Sequence, residues 1–212
     1  MKESSETTAA PGYASDVAFS AAVKAEQEKR GSRALYAKMA ARRDWQTQVT
    51  DDLAEFLAQR DSFYLASANA EGQPYVQHRG GPKGFLKKID AGTLGFADFG
   101  GNKQYITLGN LAENDRVQIF LMDYANKRRV KVWGRARAVE DDPELFTRLD
   151  PPPDATVERA ILIEVAAWDV NCPSHIVPRF TEEDLAPAIG RLHTRIAELE
   201  AEVARLKGAA GA

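Results

Sequence analysis

The feature that most constrains this chain is a change of hydrophobic period at residue 62 that persists for a hundred residues. Up to Arg60 the apolar side chains recur at helical spacing. From Ser62 onward they alternate at period two, or form short solid runs, over 62–68, 74–79, 85–89, 93–99, 116–123, 128–139 and 160–165. The breaks carry turn chemistry: Glu71-Gly72, Asp90-Ala91-Gly92 and Tyr124–Lys127. About six closely spaced strands joined by short turns predict a closed or nearly closed antiparallel barrel. Strands do not alternate with helices as in a parallel nucleotide-binding sheet. The run at 160–165 is apolar on both parities apart from Glu164, as in a strand covered on both faces. Glu164 itself reads as a solvent-facing or ion-paired residue rather than a buried base.

Helices flank this region. Residues 1–15 are small and polar and are predicted to be disordered. Residues 16–48 form a helical extension, and a further helix is expected over 44–60, with Thr50 as N-cap and Leu53, Phe56 and Leu57 on one face. Short helices are expected over 103–111 and from Pro143, at the first position of its helix. The barrel domain is bounded at 49–180, and 181–212 form a last helix. There Leu185, Ile189, Leu192, Ile196, Leu199, Val203 and Leu206 are spaced alternately four and three apart. That heptad stripe, β-branched at a and Leu at d, predicts a parallel two-stranded coil. It places Arg195 opposite Glu200, and Glu202 opposite Lys207, of a second copy.

Composition narrows the function. A net charge of −3 gives no overall attraction to nucleic acid or anionic lipid. The basic face of Lys131, Arg135 and Arg137 has only Trp133 beside it for stacking, so no nucleic-acid partner is expected. No apolar run approaches the ~18 residues of a membrane helix, and the amino terminus lacks a secretory pattern, so the expected location is cytoplasmic. One cysteine and three histidines make neither a disulfide framework nor a zinc site. Cys172 and His175 read as parts of a rigid Pro-flanked loop rather than a nucleophile pair.

The chemistry concentrates in Gln77–Lys88 and Phe96–Gln104. Arg79 and Lys103 offer charge to a phosphate, with Arg adding a bidentate fork. Gly80, Gly81, Gly84, Gly100 and Gly101 let backbone approach a ligand, and Asn102 is a candidate cap for a helix starting at Lys103. Each alone has an ordinary reading as a solvated charge or a turn. Their clustering on adjacent strands points to an anion site.

The order of these features resembles the pyridoxamine 5'-phosphate oxidase-like family, the FMN-binding split barrels. Arg79 closes a strand. Then follow Phe85-Leu86-Lys87-Lys88, Asp90-Ala91-Gly92, Gly95-Phe96, Asn102-Lys103-Gln104, Leu111-Ala112-Glu113-Asn114, the apolar strand 117–122, and a strand from Arg128 to Ala136. The resemblance covers residues 49–180. It implies a mainly β fold, a six-stranded antiparallel split barrel with flanking helices. It also implies FMN bound across a homodimer interface, with Arg79 on the phosphate, assisted by Asn102 and Lys103. Gln77 and His78 would lie near the ring or ribityl chain, and Asp98 and Gln104 would line the same groove. Arg129 and Trp168 of the partner subunit would complete the site, with His175 and Arg179 near the ring. The vitamin-B6 oxidases carry Ser-Arg-Lys where this chain reads Asn102-Lys103-Gln104, and here Arg191-Leu192-His193 falls inside the heptad helix. The implied activity is therefore hydride or electron transfer through FMN on another small molecule, with NAD(P)H the candidate donor and no catalytic side chain evident. The rival reading is a flavin- or haem-binding sensor or carrier without turnover, and a deazaflavin is the third option.

Overall fold

The computed structural model describes residues 12–171 and 173–210. Cys172 and residues 1–11 of the expected disordered tail lie outside them. The chain divides into two compact units: Met1–Met122 with Arg129–Cys172, and Asp123–Arg128 with Pro173–Ala212.

In the first unit the expected tail is structured by Ala14: a 3₁₀ turn spans Ala14–Val17, and Asp44 accepts from the Ala14 and Ser15 amides. Helices α1 (Ala21–Lys29) and α2 (Arg33–Arg42) follow. The helix expected over 44–60 is shorter. Helix α3 spans Asp51–Ala58, because the hydroxyl of Thr50 accepts from Leu53 N and starts it there. Residues 44–50 are irregular instead, and Gln46 forms an isolated antiparallel bridge with Trp168.

The sheet has seven strands: β1 (Ser62–Ala68), β2 (Pro74–Gly80), β3 (Lys87–Lys88), β4 (Thr93–Phe99), β5 (Arg116–Asp123), β6 (Arg128–Val139) and β7 (Val157–Val170). Helix α4 (Ile106–Glu113) lies between β4 and β5, and α5 (Pro143–Leu149) between β6 and β7. The strand order is β2-β1-β5-β6-β7-β4-β3, mostly antiparallel and not closed, with β2 and β3 as free edges. These are the seven segments of strand-like sequence, one more than the six strands of the expected barrel, and the segment expected over 85–89 shortens to the two-residue β3. Phe85 and Leu86 are consecutive and both buried, which alternation on one covered face cannot give. Their backbone turns instead, with Phe85 N donating to Pro82 O at 3.0 Å. Gly84 makes this possible. Its φ is +77°, and a Cβ there would stand 3.2 Å from Ala58 O.

The core explains the double-parity run in β7. Ile161 and Ile163 join α3, Phe63, Phe96, Ile119 and Val132 in the main cluster. Ala160 and Leu162 point the other way, onto Leu145 and Leu149 of α5. Both faces are covered, so both parities are apolar. Glu164, beyond α5, is exposed as expected.

In the second unit Arg179 stacks over the Tyr124 ring at 4.8 Å, and α6 spans Glu182–Ala210. His175 lies in the left-handed region with φ +64°. No helix among the described residues is long and apolar enough to cross a membrane.

Candidate functional site

Period-two alternation sorts the side chains of β2. Tyr75, Gln77 and Arg79 share one face, and Val76 and His78 the other. The first face lines a cleft of about 250 Å³ together with Asp98, the 101–108 segment, Glu158 and Arg159. Of the residues read from sequence, Gln77, Arg79, Asp98, Asn102, Lys103 and Gln104 meet there. His78 does not: it packs edge-on against Tyr64, with ring centroids 5.6 Å apart, on the opposite face.

Arg79 binds Asp98 across the open side of the sheet, joining the β2 edge to β4 by side chains where no backbone ladder forms. Asp98 is shared. Its second oxygen accepts from Arg159 Nη1 at 3.0 Å, and Arg159 Nη2 reaches Glu158 at 2.8 Å. Burial alone would lower the Arg159 pKa, but its bonds to Asp98 and Glu158 outweigh that and raise it. One buried carboxylate therefore serves two guanidiniums, and both arginines lie over aromatic rings: Arg79 over Phe96, and Arg159 over Tyr105, at 5.6 Å each. Arg79 Nε and Arg159 Nε are both buried and, among the described residues, make no hydrogen bond, so the cleft-facing charge of each guanidinium is carried by its terminal nitrogens.

The floor of the cleft corrects one expectation. Asn102 does not cap a helix at Lys103. Its side chain accepts from Gln104 N at 3.2 Å in a local turn, and α4 begins only at Ile106. Lys103 and Tyr105 adopt φ +59° and +52°, a left-handed backbone that breaks any helix there. Two such non-glycine residues within three positions store strain of ~1–3 kcal/mol each, a pattern that clusters at ligand sites. Helix α4 is anchored to β2 by Thr107, whose hydroxyl donates to Gln77 Oε1 at 2.7 Å.

Sequence reading missed Tyr75, Thr107, Glu158 and Arg159. Tyr75 was legible from its alternation with Gln77 and Arg79. Glu158 and Arg159 were lost because the last strand was begun at Ala160, where the apolar run starts. Arg129 and Trp168, expected from the partner subunit's side of the site, do not line the cleft of their own chain. Trp168 is a core residue, 8% exposed, and its indole N–H donates to Gln48 O at 2.7 Å, fastening the segment before α3. Arg129 lies on β6 with its Nε buried and, among the described residues, without a hydrogen-bond partner.

Among solved structures the chain is similar to an FMN-binding protein from Syntrophomonas wolfei, at 15% identity over 68% of this chain and 97% of that one, with a TM-score of 0.46. It is also similar to HupZ of Group A Streptococcus (12% identity, 62% and 99% covered, TM-score 0.45). A third is HutZ, a haem storage protein of Vibrio cholerae (16% identity, 60% and 94% covered, TM-score 0.37). No curated protein matches the chain. The family model for pyridoxamine 5'-phosphate oxidase matches residues 49–172, more than half of the chain, and the chain belongs to that family.

Proposed function

We propose that this chain binds FMN, with the phosphate in the Arg79–Lys103–Arg159 cleft, and acts as an oxidoreductase on a small molecule with NAD(P)H as donor. The carrying observation is a cleft that gathers two arginines on one buried carboxylate, with Lys103 in the same lining. Membership of a flavin-using family supports the reading. Bound FMN would supply hydride and single-electron transfer at its ring system. The protein's own residues would do the rest. Arg79 and Lys103 neutralise the phosphate, Asp98 keeps both arginines in place, and the turn at Asn102 presents backbone amides. The cleft, at about 250 Å³, is below the ~300–1,000 Å³ of a complete ligand pocket. It suits the phosphate end, so the rest of the cofactor needs further walls, and a second copy in a homodimer is the proposed source.

Arg79→Ala weakens FMN binding by about 1.5–3 kcal/mol, the range for a hydrogen bond to a charged group. Lys103→Ala, which removes a single point charge, has the smaller effect. Titration of flavin fluorescence measures both, and an unchanged affinity for the Arg79 variant takes the phosphate out of this cleft. Reduction by NADH or NADPH followed by reoxidation separates an enzyme from a flavin carrier. Pyridoxamine 5'-phosphate is expected to release no hydrogen peroxide, because the phosphate segment reads Asn102-Lys103-Gln104. Robust peroxide formation would place the chain with the vitamin-B6 oxidases instead.

A further inference from the structure

Helix α6 is the longest element of the chain. Its 29 residues extend for about 44 Å at the ordinary helical rise. Along one stripe, Leu185, Ile189, Leu192, Ile196, Leu199, Val203 and Leu206 are each between 43% and 63% exposed. A helix packed on its own domain buries such a stripe, and a lone helix gains nothing from carrying one. The stripe is also narrow. Its flanks from His193 onward are polar: His193, Glu200 and Lys207 at e, and Arg195 and Glu202 at g.

We propose that α6 pairs with the α6 of a second copy as a short parallel two-stranded coil. Three features of the helix select that occupant over any other apolar partner. Position a holds Ile189, Ile196 and Val203, and position d holds Leu192, Leu199 and Leu206, the arrangement that favours two parallel strands. In parallel register each g residue meets the e residue five positions on in the partner. Arg195 then faces an opposite charge at position 200, and Glu202 faces one at position 207. All four flanking charges are used twice. An antiparallel pair leaves Lys207 beside alanine. Within one chain, Arg195 now bonds Glu198 at 2.8 Å and Glu202 bonds Arg205 at 2.6 Å. Both pairs are solvent-exposed, so exchanging them for contacts across the coil costs little. The helix also places its irregular residues off the seam: Pro187 falls at f and Gly190 at b. The pairing stripe shares no residue with the cleft, and the proposal stands whether or not FMN binds.

The test uses the full chain with Cys172→Ser and one added cysteine. Leu206→Cys puts two thiols face to face at a d position of a parallel coil. Ala201→Cys, at the outer f position, is the control that reports proximity without pairing. Under mild oxidation the Leu206→Cys protein is expected to form a disulfide-linked dimer at least about tenfold faster than the control, since the seam raises the local thiol concentration. Adding Ile196→Asp should return it to the control rate. Equal rates for the two cysteine positions overturn the proposal. So does a Leu206→Cys link that survives Ile196→Asp. A link formed only between Ile189→Cys and Leu206→Cys copies means antiparallel pairing. Lower melting of the Ile196→Asp variant without any link means that the stripe covers a surface of its own chain. Either of these last results also overturns it.

Discussion

Gly134→Ala should destabilise the protein by about 3 kcal/mol, the upper end of overpacking costs, lowering Tm by about 6–12 °C for a chain of this size. A Cβ at Gly134 would stand 2.3 Å from Glu164 O and 2.9 Å from Ile163 Cγ2. The obstacle is backbone, so no rotamer change relieves it. The contact arises from a β-bulge: Trp133 pairs with Ala167 and Gly134 with Val165, leaving Ala166 as an extra residue in β7. The bulge carries β7 past the end of the α5-covered region while keeping Ile163, Val165 and Trp168 in the core. Chemical denaturation of the variant checks the prediction. Unchanged stability would mean that β6 and β7 do not pair in this register.

The second large effect belongs to Asp98. Its side chain is 7% exposed and is shared by two arginines that are 15% and 11% exposed. Asp98→Ala takes from Arg79 the carboxylate that neutralises it and leaves it facing Arg159, which keeps Glu158 and Glu140, and the expected loss is about 3 kcal/mol of stability, the lower end for a broken buried ion pair. Inorganic phosphate or FMN should recover more stability in this variant than in the unmodified protein, because an anion in the cleft replaces the missing carboxylate. Asp98→Asn keeps a hydrogen-bond acceptor of the same size and should fall between the two. Thermal melts across a phosphate series read all three proteins. A variant as stable as the parent, with no added response to phosphate, would show that Asp98 does not neutralise this pair.

The two experiments divide the molecule. Gly134 tests how the sheet is built, and Asp98 tests how its open side is closed around the cleft. Loss of FMN binding in Arg79→Ala with stability retained would place the effect in ligand binding. Loss of both would place Arg79 with Asp98 in holding β2 to β4.

Local physics was enough for most of the elements. The expected ranges of β1, β4, β5 and β6 agree with the observed strands, because each is an alternating or solidly buried run bounded by turn residues. Thr50 caps its helix as expected, and the helix expected from Pro143 starts there with Asp142 as its cap, since a side-chain acceptor three residues before a free amide is a short-range device. The ordering of these pieces, with Arg79 at a strand end and a polar segment before Leu111-Ala112-Glu113-Asn114, was enough to point to the family. Gln77, Arg79 and Lys103 were legible because charge and glycine gather there in the sequence itself.

What the sequence could not supply is set by contacts between distant residues. Phe85 and Leu86 look like a strand, and only the packing of Gly84 on Ala58 turns them into a bend. Asn102 has the chemistry of a helix cap, but the left-handed backbone at Lys103 and Tyr105 delays the helix to Ile106. His78 neighbours Arg79 in the chain yet faces away from it, because a strand sends successive side chains to opposite faces. Trp168 packs in the core of its own chain, where the carbonyl of Gln48, 120 residues earlier, accepts from its indole N–H. The partnership of Arg79, Asp98 and Arg159 exists only because the sheet curls far enough to bring β2 to β4 and β7. The sequence determined which segments become strands and where the charge lies. The tertiary structure decided which charges meet, because hydrogen bonds within an element are fixed by spacing, whereas ion pairs between elements depend on the curvature of the whole sheet.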